Sequence, residues 1–129
     1  MLAIEIIRPA ASVAVVALHG EHDAVSKVEL GELLSDEIND NELVVVDVTD
    51  AEFVDSSFLH NLVKADQLAV EHGSRFVLQM GTSHIVRRAI EISGILHRLD
   101  WVSSREEALA NSVTRRRGGP VTSAPELEG

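Results

Sequence analysis

The sequence predicts an α/β fold: a mixed, mostly parallel sheet of about five strands with about four helices packed on it. Three observations lead there: short β-branched apolar runs, stretches with apolar residues at helical spacing between them, and cap or turn residues at nearly every junction. A chain of 129 residues, 45% of them hydrophobic, is long enough for one compact domain. Aromatic residues make up only 3% of it, with no Tyr and a single Trp, so the core must be aliphatic.

Leu2 to Ile7 and Val13 to Leu18 read as two strands joined by a turn at Pro9-Ala10-Ala11-Ser12 and paired antiparallel. Beyond Gly20-Glu21-His22-Asp23, the spacing of Leu30, Leu33, Leu34 and Ile38 predicts a helix over 24–38 with Asp23 as its N-cap; Gly31 inside it weakens the pattern. Leu43 to Val48 is apolar on both faces and therefore a central, doubly covered strand. After the spacer Thr49-Asp50-Ala51-Glu52, the residues Leu59, Leu62, Val63 and Val70 share one face of a helix over 57–72 that Gly73 ends. Arg75 to Met80 is a further strand. Thr82 and Ser83 then cap a helix with Val86, Ala89 and Ile90 inward and Gly94 as terminator. A short edge strand is expected within 97–102, then a capping box made by Ser103 and Glu106, then a last helix to about residue 111. Strand and helix alternate from residue 13 onward, and right-handed crossovers turn that order into parallel pairing.

Composition excludes several functions. A formal net charge of -10 and a sequence pI near 4.9 disfavour nucleic acid and anionic membrane as partners, because phosphate binding needs clustered Lys and Arg. With no Cys there is no disulfide, thiolate metal site or thiol nucleophile. No apolar run approaches the ~20 residues that span a bilayer, and the N-terminus lacks the pattern of a secretory signal, so no membrane insertion and a cytoplasmic location are expected. From Ser112 to Gly129 the chain is rich in Gly, Pro and charge without apolar periodicity, including Arg115-Arg116-Arg117, and reads as a disordered tail without an assigned function.

The segment Val54-Asp55-Ser56-Ser57 stands where the chain leaves the sheet and enters a helix. Asp and Ser there serve as ordinary caps. The setting says more. Val44-Val45-Val46-Asp47-Val48-Thr49, followed by Phe53-Val54-Asp55-Ser56-Ser57 and Leu59, resembles the strand, spacer and Asp-Ser-Ser helix start of the STAS family, and of its anti-sigma factor antagonists in particular. Gly20-Glu21-His22-Asp23 is similar to that family's Gly-Glu-Leu-Asp after the second strand, and Ile92-Ser93-Gly94-Ile95 to its Ser-Gly-Leu stretch. The resemblance covers residues 2 to about 110, which makes 1–111 a single STAS-like domain.

The resemblance implies a non-enzymatic, phosphorylatable switch protein in partner switching, a form of transcription regulation tied to stress response. Its partner would be a serine-kinase anti-sigma factor, from which it frees sigma factor until Ser56 is phosphorylated; Ser57 is the fallback position. By the same carry-over Asp55 shapes the site and Asp23 sits in a neighbouring loop facing the kinase, so the partner-binding set is Asp23, Asp55, Ser56, Ser57 and Phe58. Phe58 stands where the family usually has Gly, and the sequence leaves open whether its ring packs on the core or meets a partner.

Other constellations are weaker. Six His residues occur, but His19 and His22 with Glu21 and Asp23 lack the spacing of a metal motif, so neither a metal nor another cofactor is expected. No Gly-x-Ser-x-Gly elbow or Gly-rich phosphate loop is present, and no catalytic residue is assigned. The competing reading is a STAS accessory subunit of a membrane lipid or anion transport system, for which an exposed Phe58 would speak; a ligand-sensing module is a third. Oligomeric state stays open at this stage.

Overall fold

A computed structural model of the chain describes residues 2–21, 24–53, 55–81 and 84–110. Five strands form one sheet in sequence order, β1 (Leu2–Ala10), β2 (Val13–Glu21), β3 (Leu43–Phe53), β4 (Arg75–Gln79) and β5 (Asp100–Val102). β1 pairs with β2 antiparallel, and every later pairing is parallel. Between the strands run α1 (Ala24–Asp40), α2 (Ser56–His72) and α3 (His84–Ser93), which is followed by a short 3₁₀ turn at Ile95–His97; α4 (Arg105–Ala110) closes the described chain.

The predicted hairpin forms, with a tighter turn than expected. Pro9 and Ala10 remain in β1 and only Ala11 and Ser12 turn. Pro9 has no N–H to give the ladder, and the register shifts between Ile7 and Ala10. Ser12, at φ 63, offers its carbonyl to the backbone N–H of both Glu42 and Leu43, which pins the hairpin turn to the start of β3.

Successive crossovers of one hand along a sheet built in sequence order place their helices on one face. Strand residues of one parity, Val16, Leu18, Val44, Val46, Phe76 and Leu78, meet Leu30, Leu34 and Ile38 of α1, Phe58 and Leu62 of α2, and Val86 and Ile90 of α3 in the larger core. The opposite parity, Val15, Leu43, Val45, Val77 and Val102, forms a smaller core with Ala108 of α4. From Leu43 to Val48 β3 is buried on both faces, as its apolar run predicts.

Gly31 does not break α1. It faces Asn61 of α2: a Cβ there would sit 3.1 Å from Asn61 Oδ1, and Asn61 Nδ2 donates to the Lys27 carbonyl at 2.9 Å. The end of α2 turns at Gly73, φ 72, and Ser74 then donates its hydroxyl to the carbonyls of Ile38 and Asn41, tying the end of α1 to the α2–β4 turn. The last helix starts one residue later than predicted. Ser104 Oγ accepts the Glu107 N–H at 3.2 Å, and Glu107 reaches back to the Ser103 N–H at 2.9 Å, so the reciprocal cap belongs to Ser104 and Glu107 rather than Ser103 and Glu106. The predicted caps at Asp23, Thr82 and Ser83 and the tail from 112 lie outside the described residues. No helix among the described residues is long and apolar enough to cross a membrane.

Candidate functional site

The candidate site is built where the carboxyl ends of β2 and β3 meet the amino end of α2. In parallel α/β sheets this edge carries function, because the loops leaving the strands converge there. β3 is longer than the sequence suggested: the expected spacer Thr49–Glu52 continues the strand to Phe53. That extension pairs with β2 beyond Leu18, His19 with Asp50, Gly20 with Ala51 and Glu21 with Phe53, which accounts for its strand conformation. It also brings the backbone leading into the Asp23 loop beside the backbone leading into Asp55. Asp23 itself lies outside the described residues.

Asp55 is extended, at φ -116 and ψ -178, and its Oδ1 accepts the backbone N–H of Phe58 at 3.0 Å, while its carbonyl accepts the N–H of Leu59 at 3.1 Å. It is therefore a true N-cap, and α2 begins at Ser56, one residue before the predicted start. Ser56 is exposed and Ser57 half-buried. No acidic residue occupies the first turn. The backbone N–H groups of Ser56 and Ser57 precede the first intrahelical bonds, so an anion held there meets free donors and the positive end of the helix dipole.

Phe58 is 2% exposed and belongs to the larger core with Leu62. Expected among the partner-binding residues, it is corrected here to a core residue, and of the two outcomes left open the packed one is found. The helical rise explains it: Phe58 and Leu62 are one turn apart on the face that meets the sheet. The ring anchors the start of α2 from below while Ser56 stays outward.

A group of polar residues on the α4 face of the sheet, close to the same edge, escaped the sequence reading. Asp47 and Gln79 are register partners on β3 and β4, buried despite their polarity. Arg105 of α4 reaches Asp47 Oδ2 at 3.0 Å, and Asp47 Oδ1 accepts the Thr49 N–H at 2.9 Å. Gln79 Nε2 lies 3.4 Å from Thr49 Oγ1. Gly81 packs on the same strand, where a Cβ would come within 2.6 Å of Thr49 Cγ2 and 2.9 Å of its Cα. The group ties the extended end of β3 to α4 and to the loop after β4. Asp47 inside an apolar strand was its one visible signal.

His19 has Nε2 3.4 Å from Glu5 Oε1 and Nδ1 3.4 Å from Asp50 Oδ2, all three side chains well exposed. No cluster of His and carboxylates suited to a metal ion occurs among the described residues.

A family model described as "Mlab, STAS domain" matches residues 7–100. The chain belongs to the STAS domain family. The resemblance read from the Asp-Ser-Ser segment is thereby borne out. Among curated proteins nothing matches. This STAS domain is similar in structure to an anti-sigma factor antagonist from Mycobacterium paratuberculosis, with a TM-score of 0.78 and 20% identity over 88% of this chain and 96% of that one. The anti-sigma factor antagonist SpoIIAA in its unphosphorylated form matches with a TM-score of 0.72 and 19% identity, covering 88% of this chain and all of its own. The Bacillus SpoIIAA in its phosphorylated form matches at 0.64 with 19% identity, over 84% and 97% of the two chains. At these identities the likeness is one of fold: a single α/β domain with a five-stranded mixed sheet and four helices.

Proposed function

We propose that this STAS domain is an anti-sigma factor antagonist that binds a serine-kinase anti-sigma factor, frees its sigma factor, and is switched off by phosphorylation at Ser56. One observation carries the reading: Ser56 is the exposed first residue of α2, directly after the Asp55 cap, with its neighbour Phe58 locked in the core. A kinase needs a hydroxyl that is accessible on a backbone that keeps its place, and this position supplies both. Ser57 is half-buried and the less exposed of the two residues. Solved structures with this fold include anti-sigma factor antagonists, and SpoIIAA is among them in a phosphorylated form as well. Partner switching, transcription regulation and cytoplasmic location follow from this reading.

The switch is electrostatic. A phosphoryl group adds about -1.5 to -2 charges at neutral pH, and the free N–H groups and dipole of α2 favour negative charge by roughly 0.3–1 kcal/mol. The fold accommodates the modification. The added charge falls instead on the surface shared with the kinase, beside Asp55, where it repels an acidic or nucleotide-bearing partner. Isothermal titration of the kinase with the unphosphorylated and the phosphorylated domain tests this: a loss of affinity with unchanged circular dichroism is expected, and equal affinities contradict it.

The reading as an accessory subunit of a membrane lipid or anion transport system would be favoured by an Asp-Ser-Ser segment with no kinase partner and by an exposed Phe58 as an apolar contact. With Phe58 in the core, that contact is not offered.

A further inference from the structure

The outer side of the helix layer carries two features that the phosphorylation switch does not use. Ile92 of α3 is 73% exposed, the most exposed large apolar side chain among the described residues. Arg88, one turn earlier on the same face, and Arg98, just past the 3₁₀ turn, are also exposed, and neither forms an ion pair among the described residues. In a chain of net charge -10 this edge is locally basic. A groove of about 310 Å³ runs between α1 and α2, with Leu34, Ala65 and Leu68 among its lining residues. The small residues Gly31, Ser35 and Ala65 are among its lining. The outward side of α1 beside it carries Glu32 and Asp36, both exposed.

Knob and groove, and basic edge and acidic edge, lie on one face of one sheet. The crossovers follow each other in sequence order, so α2 lies between α1 and α3. A two-fold axis parallel to the helices then sets α3 of each copy over α1 of the other. Both contacts form at once, so the assembly closes as a dimer instead of growing into a filament.

We propose that the partner of this face is a second copy of the chain: Ile92 of each copy seats in the α1–α2 groove of the other, with Arg88 facing Glu32 and Asp36. The pairing covers the exposed isoleucine, and it sets the basic edge of each copy against the most acidic outward helix. Net repulsion between two chains of charge -10 is screened over about 8 Å at physiological salt, while the facing charges are closer than that. Ser56 begins α2, whereas the groove is lined from Asn61 onward, so the pairing and the serine switch use different stretches of that helix.

Sedimentation of the full chain over a concentration series tests the proposal without any kinase. The expected result is a species of twice 14.0 kDa at high concentration. Ile92→Glu, at a site exposed enough not to disturb folding, raises the dissociation constant about tenfold or more. Arg88→Glu does the same, and mixing Arg88→Glu with a Glu32→Arg/Asp36→Arg variant restores association. A monomer at every concentration up to the millimolar range, or a dimer that Ile92→Glu leaves intact, overturns it.

Discussion

Asp55 and Phe58 hold the start of α2 from opposite sides: the Asp55 carboxylate accepts the Phe58 backbone N–H at 3.0 Å, and the ring of the same Phe58 is buried against the sheet. Polar cap and apolar anchor thus act on one peptide unit. Ser56 and Ser57, between them, have their backbone fixed by both.

Removing the cap should cost stability without unfolding the domain. Asp55→Ala is expected to lower the unfolding free energy by about 1 kcal/mol, whereas Asp55→Asn keeps the acceptor and loses only a few tenths. Urea titrations of the two variants separate the cap from the charge. Equal losses would mean that the carboxylate acts through its charge alone.

The anchor should matter more than the cap. Phe58→Ala removes a fully buried ring and is expected to cost about 3–5 kcal/mol. A loss below 1 kcal/mol in the same titration would place the ring outside the core.

Gly81 tests the close approach of the β4–α3 loop to β3. Because a Cβ would meet the Thr49 backbone as well as its methyl, Gly81→Ala should destabilise by about 1–3 kcal/mol, and Thr49→Ala should relieve only part of it. Thermal unfolding of the single and double variants measures the coupling. Full rescue would show that the side-chain contact alone mattered.

Arg105→Ala leaves the Asp47 carboxylate, which is about 10% exposed, without its cation. The expected cost is about 1–2 kcal/mol, moderated because 37% of the Arg105 side chain meets solvent. Chemical denaturation of Arg105→Ala checks it, and Arg105→Met, which keeps the stem, should recover the packing part only.

Much of this was legible in the chain. The β-branched run at Val44–Val48, the glycine after His72 and the Asp-Ser-Ser start each express a local rule that tertiary structure did not override. What was not legible depended on distant partners. Thr49–Glu52 looked like a spacer because nothing local reveals that the end of β2 would pair with it. The cap of α4 slipped by one because Ser103 and Ser104 are chemically equal and the packing of Ala108 sets the helix phase. Phe58 stayed ambiguous because helical spacing puts it one turn from Leu62 but does not say how deep the helix sits. Among the site residues, the order Asp55, Ser56 and Ser57 was readable, and the exposure that separates Ser56 from Ser57 was not.

Phosphopeptide mapping by mass spectrometry, after incubation with ATP in lysate of the native host, tests the central claim most directly. The account predicts a single phosphate on Ser56 that Ser56→Ala abolishes and Ser57→Ala leaves in place. A phosphate on Ser57 alone, or none where a control substrate of the same lysate is labelled, would contradict it.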